Sequence, residues 1–168
     1  MALLNDCKYG YRIKDNVIDL ALLRSPRYPD ADADKGLHHF TYSFLPHNGS
    51  LTESGVISAG AALNRAPLLF DGFAAGNSQP VCRQISGDGI SLEVVKKAEK
   101  ADTLILRVVE TCGKNSSGIL QYSADAPEVW ECDLMEWNML HKEKIDGNRQ
   151  QITLKPFEIK TFMVTKWQ

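Results

Sequence analysis

The 168-residue sequence has no long hydrophobic run: no stretch approaches the roughly 20 apolar residues that a membrane helix needs. Neither sign of charge is in excess. With 19 Lys and Arg against 21 Asp and Glu, the net charge is −2. That balance supplies no basic surface for nucleic acid or anionic lipid, and neither partner is expected. The opening Met1-Ala2-Leu3-Leu4-Asn5-Asp6 has no basic region and no apolar core, so it does not read as a signal peptide. Cysteine is sparse. Cys7, Cys82, Cys112 and Cys132 lie far apart without any C-x-x-C pair, which favours buried free thiols over a disulfide framework. Two sequons, at Asn48 and Asn115, matter only in a secreted chain and read as turns. Catalytic and nucleotide signatures are missing as well: there is no G-x-S-x-G, no P-loop and no G-x-G-x-x-G.

What is present is ordinary globular composition, 43% hydrophobic and 24% charged, arranged largely in strand patterns. Tyr9, Tyr11 and Ile13 alternate with Gly10, Arg12 and Lys14, a strand with one wet face. After a turn at Asp15-Asn16, the run from Val17 to Leu23 is apolar on both faces and is expected to be buried on both sides. A Pro- and Asp-rich loop, 25–36, leads to a half-buried strand at Phe40, Tyr42 and Phe44. Residues 51–65 form the one plausible helix, weakened by Gly55 and Gly60 and ended by Pro67. Pro67 to Phe70 reads as a short edge strand. Between 71 and 88 the composition shifts to Gly, Ala, Asn, Ser, Gln and Pro, the best boundary in the chain, although Val81, Cys82 and Ile85 suit a short strand.

Beyond that boundary a meander is expected, with strands at 90–98, 104–109, 119–123, 129–135, 138–141, 150–154 and 157–166. Gly113 to Gly118 reads as a turn, and Asp146-Gly147 as the centre of a hairpin. Strands at this spacing favour an antiparallel sandwich over βαβ units. The fold class is therefore all-β, an antiparallel β-sandwich architecture with one short helix.

Several strings resemble a known family. Asn5-Asp6-Cys7-Lys8-Tyr9-Gly10, Leu22-Leu23-Arg24-Ser25-Pro26, and His39-Phe40-Thr41-Tyr42 with Leu45-Pro46-His47 look like the C-terminal β region of glycoside hydrolase family 38, nearest its cytosolic α-mannosidase branch. Lys155 to Thr161 is similar to the last strand of the same enzymes. The resemblance implies that 1–72 is the tail of a β super-sandwich, 73–87 a linker and 88–168 a small terminal sandwich. It also implies a cytoplasmic setting and a partner, the N-terminal catalytic domain of a retaining α-mannosidase acting on mannose-containing glycans. The zinc and the Asp nucleophile belong to that domain. No segment here matches its motifs, so no cofactor and no catalytic residue is assigned to these residues. A chain that opens straight into a strand suggests a cut or a split gene at Met1.

Other constellations are weak. Asp30, Asp32 and Asp34 begin like a calcium loop, but Lys35 stands where glycine should turn the chain and Thr41 where a bidentate Glu is needed. His38 and His39 point to opposite faces of a strand, and His47 and His141 read as lone residues, so no metal site is expected. Glycoside hydrolysis needs two facing carboxyl groups, and no pair is marked out. Trp130, Trp137 and Trp167 invite a sugar-stacking reading, but core or interdomain packing is preferred for them. Asp6, Lys8, Tyr9, Asp34 and Lys35, charged or polar within the block most like the family, are expected to face substrate or the catalytic domain. A non-catalytic carbohydrate-binding module and a pure scaffold stay open as alternatives. A homodimer that buries the first hairpin and the Phe40-Tyr42-Phe44 strand is expected of the isolated chain, against a monomer whose later residues cover that face.

Overall fold

The computed structural model describes residues 1–69, 71, 80–123 and 127–166. The chain divides into two compact units, Met1–Gly72 and Phe73–Gln168.

Unit 1 contains β1 (Ala2–Asn5), β2 (Gly10–Lys14), β3 (Val17–Ala21), β4 (Tyr42–Leu45) and α1 (Val56–Asn64). Strands β2 and β3 form a hairpin in which Lys14 pairs with Val17, so Asp15 and Asn16 make the turn and Asp15 takes a positive φ of 53°. A short Asp side chain tolerates that backbone better than a branched one. Strand β1 pairs antiparallel with β4, placing Leu3 opposite Phe44 and Asn5 opposite Tyr42. Helix α1 packs on β1, and the Asn64 side chain donates to the Asn5 carbonyl at 3.1 Å.

The helix starts five residues later than expected. Ser50 and Glu53 bond each other, and the Glu53 and Ser54 amides turn back to the Ser50 carbonyl, so 50–54 closes as a turn first. Pro67 to Leu69 is not a strand, because no neighbouring strand takes its backbone; Leu68 and Leu69 are exposed. Phe70 lies outside the described residues. The largest correction concerns β3. Val17, Ile18, Leu22 and Leu23 are exposed, and among the described residues β3 has β2 as its single strand neighbour. A run that is apolar on both faces is buried on both only where something covers each face.

Unit 2 contains β5 (Cys82–Ser86), β6 (Ile90–Lys97), β7 (Leu104–Glu110), β8 (Ser116–Tyr122), β9 (Glu128–Cys132), β10 (Met139–Lys142), β11 (Ile145–Asp146), β12 (Arg149–Leu154) and β13 (Ile159–Lys166). A five-stranded sheet runs β10-β9-β13-β7-β6 and a four-stranded sheet β11-β12-β8-β5. All pairings are antiparallel. Alternation does the sorting: along β12, Gln150, Ile152 and Leu154 are buried while Arg149, Gln151 and Thr153 face outward. Leu106, Val108, Val129, Phe162 and Val164 from one sheet meet Leu120, Tyr122, Ile152 and Leu154 from the other in one core. This is a β-sandwich. Strand β5 pairs with β8, so 82–86 is sheet although it falls within the segment read as a linker.

Two turn expectations shift. The 145–150 hairpin pairs Asp146 with Arg149, so its turn residues are Gly147 and Asn148, not Asp146 and Gly147. Gly147 has φ 59°, and Asn148 is tied down by bonds to the Tyr122 backbone. Ser116, Ser117 and Gly118 belong to β8, not to a turn. Gly118 is there for space: a Cβ on it would lie 2.0 Å from the Ser86 carbonyl oxygen.

Candidate functional site

The loop that closes β1 onto β4 organises the residues expected to carry function in unit 1. Both Asp6 carboxylate oxygens accept the Thr41 amide at 3.0 Å, while the Asp6 amide donates to the Thr41 carbonyl at 3.2 Å. The Cys7 thiol and the Thr41 amide hold the Asp6 carboxyl below the usual carboxylate range, and the same Asp6 bond pushes the Cys7 thiol up. Asp34 accepts the Ser25 amide at 2.6 Å and the Arg24 amide at 3.2 Å, and those bonds lower its pKa despite some desolvation. Lys8 stands over the Phe40 ring, 5.1 Å from its centroid, and its charge reaches Asp34. Lys35 pairs with Asp32, and Tyr9 is 91% exposed.

Lys8 and Asp34 are thus brought near each other, while Asp6 braces Thr41 and Lys35 turns to its own loop. Both Asp6 and Asp34 are committed to backbone N–H groups, a local structural duty that charge alone did not reveal. Among the described residues, Asp30, Asp32 and Asp34 do not converge into a metal-binding group; Asp30 accepts the Asp32 amide instead.

An open apolar hollow of about 170 Å³ lies beside this loop, lined by Leu3, Ile18, Leu20, Leu22, Tyr42 and Phe44. Tyr42 and Phe44 meet edge to face at 6.1 Å, and Phe44 remains 61% exposed. Contiguous exposed apolar surface of this kind is the mark of a contact face.

In unit 2 two buried carboxylates act as braces. Glu110 accepts the amides of Cys112 (2.9 Å), Gly113 (2.8 Å) and Phe157 (3.0 Å) and the Ser116 hydroxyl (3.2 Å). Burial alone would raise its pKa; the backbone N–H groups of Phe157, Cys112 and Gly113 overcome that and hold it at about 2. Glu136 sits at φ 63° and accepts from Arg107 (3.0 Å), Lys96 (2.9 Å) and the Glu99 amide (3.0 Å). Arg107 also holds the Leu134 carbonyl at 2.8 Å, so these bonds clamp the 133–138 turn. Neither carboxylate stands out in the sequence, because the fold supplies the partners: mostly backbone amides for Glu110, and for Glu136 the Arg107 and Lys96 side chains with the Glu99 amide.

Two of the tryptophans lie outside the core of unit 2: Trp137 is 61% exposed and Trp130 half-buried. One face of each ring carries a lysine, Lys100 at 4.4 Å from Trp137 and Lys142 at 5.8 Å from Trp130. Trp167 lies outside the described residues. His141, read as lone, is not: its Nε2 lies 2.9 Å from Glu143 and 3.5 Å from Glu131. The available sequence signal was Glu143, a carboxylate two residues after His141 and just past the end of β10.

Antiparallel sheets, one pair of them closed into a β-sandwich and the earlier strands left with an open apolar face, define the class as all-β. Residues 89–162 match the Glycosyl hydrolases family 38 C-terminal beta sandwich domain, and residues 1–32 match the Glycosyl hydrolases family 38 C-terminal domain. The chain belongs to glycosyl hydrolase family 38, as part of its C-terminal β region. It is 38% identical over 172 residues to "Alpha-mannosidase 2C1" of Mus musculus and 37% identical over 172 residues to that of Homo sapiens, in each case covering 98% of this chain and 16% of the relative. It is 36% identical over 171 residues to "Alpha-mannosidase G" of Dictyostelium discoideum, covering 96% of this chain and 16% of that protein. The chain thus spans about one-sixth of the length of these relatives.

Proposed function

We propose that this chain is the C-terminal β portion of a cytoplasmic, retaining α-mannosidase that removes terminal α-mannose from mannose-containing glycans, and that it buttresses the catalytic domain without chemistry of its own. The observation that carries the reading is the apolar hollow of unit 1, within and next to the residues 1–32 that match the family's C-terminal domain. A face lined by Leu3, Ile18, Leu20, Leu22, Tyr42 and Phe44 suits the remainder of a super-sandwich as its cover, with the catalytic domain as partner. In this reading 1–72 is the super-sandwich tail and the segment after 88 the terminal sandwich. Tyr9 and Lys8 turn towards the catalytic domain, and Lys35, paired with Asp32, lies on the loop offered to it, while Asp6 and Asp34 shape that loop. Zinc is a group of the catalytic domain. No helix of the described residues is long and apolar enough to cross a membrane.

The test is complementation. The purified chain is expected to be inert on an aryl α-mannoside with or without zinc. Co-expressed with the preceding portion of a relative, it should restore turnover that the preceding portion alone lacks. Zinc-dependent turnover by the chain itself overturns the reading. Alone, with its apolar face uncovered, the chain should form a two-fold dimer, measured by light scattering at micromolar concentration. Leu20→Lys should return it to monomer; a wild-type chain that is already a monodisperse monomer rejects the dimer.

A further inference from the structure

We propose that Glu131, His141 and Glu143 form a binding site for a divalent first-row transition metal of the zinc type, which pins the outermost strand of the five-stranded sheet to its neighbour. The frame is rigid. Glu131 on β9 and His141 on β10 are direct cross-strand partners. Glu143 follows His141 by two residues, so alternation returns it to the same face. Its amide still donates to the Val129 carbonyl at 2.9 Å, which carries the ladder one step past β10.

Three donors therefore converge from two paired strands. His141 Nε2 lies 2.9 Å from Glu143 Oε1 and 3.5 Å from Glu131 Oε2, and one ligand atom from each residue lies within 4.8 Å of the others. A tetrahedral ion with ligands at about 2.0–2.1 Å has ligand–ligand edges of about 3.3 Å. The two histidine edges bracket that value before any metal arrives. Both carboxylates are largely withdrawn from solvent, at 14% and 15% exposure, while the imidazole at 60% leaves an entry path. One imidazole and two carboxylates suit zinc, cobalt or manganese, and the set is too small and too nitrogen-rich for calcium. Binding needs the tautomer with the proton on Nδ1, leaving the Nε2 lone pair for the ion.

Lys160 on β13 is the competitor already in place, its ammonium 3.0 Å from the Glu131 carboxylate. An incoming ion displaces it. This makes a prediction that an ordinary ion-pair cluster does not share: removing the lysine should improve metal binding. The bound ion would add a cross-link to an edge strand whose four residues are all exposed.

The test uses the 168-residue chain stripped with chelator and titrated with Co²⁺, followed by its visible d–d absorption and by competition with Zn²⁺. One equivalent is expected to bind, and zinc should raise the melting temperature. His141→Ala and Glu143→Gln should each weaken binding tenfold or more with the far-ultraviolet circular dichroism unchanged. Lys160→Gln should tighten it severalfold. No one-equivalent cobalt spectrum, or binding that survives His141→Ala and Glu143→Gln together, overturns the site, as does Lys160→Gln leaving affinity unchanged or lower.

Discussion

Unit 1 and unit 2 carry apolar strands of much the same kind, and only unit 2 buries them. Among the described residues, Val56 is the one buried apolar side chain of unit 1, whereas unit 2 encloses Leu106, Val108, Leu120, Tyr122, Phe162 and Val164 between its sheets. The difference is architectural, because among the described residues β3 has one strand neighbour and shares only an open hollow with the two-stranded β1–β4 sheet, while β7 and β13 have two neighbours each and a second sheet across the core. Unit 2 has the materials of independent stability. Unit 1 leaves its apolar strands largely exposed.

The sharpest way to break the comparison is a matched truncation. Leu120→Ala removes a side chain from the closed core and should cost roughly 2–5 kcal/mol in urea unfolding of unit 2. Leu20→Ala, at the open face of unit 1, should cost well under about 1 kcal/mol in the isolated chain. Equal costs would mean that unit 1 has a core of its own. Next in size is Gly118→Ala, whose Cβ would press on the Ser86 carbonyl and the Ile90 side chain. Overpacking of this kind costs roughly 1–3 kcal/mol and should appear as a lower melting temperature of unit 2, with β5 losing amide protection first.

A finer contrast is pH. Glu110 titrates at about 2 in the folded chain against an ordinary 4.5, so its folded pKa is depressed. Its contribution is complete above about pH 4.5 and is lost as pH falls from there through 2. Glu110→Gln should therefore flatten the acid limb of unit 2 stability over that window and lower stability at neutral pH. An acid limb of unchanged slope would show that Glu110 is not the group responsible.

Much of unit 2 was legible. The alternation of Ile90, Leu92 and Val94 and the apolar run from Leu104 to Val109, interrupted only by Arg107, placed β6 and β7, and Gln150 to Leu154 placed β12, because such patterns are a property of neighbouring positions. Gly118 misled because glycine serves turns and close approaches alike, and only the strand opposite tells which. Val17 to Leu23 misled in another way: its pattern is that of a buried strand, but burial depends on a cover that a pattern does not contain. Of the residues expected to carry function, Asp6 and Asp34 proved to be occupied by Thr41, Ser25 and Arg24 amides, bonds that span up to 35 positions. The braces at Glu110 and Glu136 were invisible for the same reason.

By itself the sequence determined the all-β class, the change of character after residue 72 and, through the strings around Asn5–Gly10 and Lys155–Thr161, membership of the family. These rest on composition, short-range periodicity and contiguous motifs, all of which are local. The tertiary structure decided which apolar faces close on each other, which carboxylates hold backbone amides and which donors meet. Glu131 and His141 stand ten positions apart, and the register of β9 against β10, with its irregularity between Met139 and His141, is what sets them side by side. A one-residue slip would turn them to opposite faces, and register is fixed by the packing of the whole sheet.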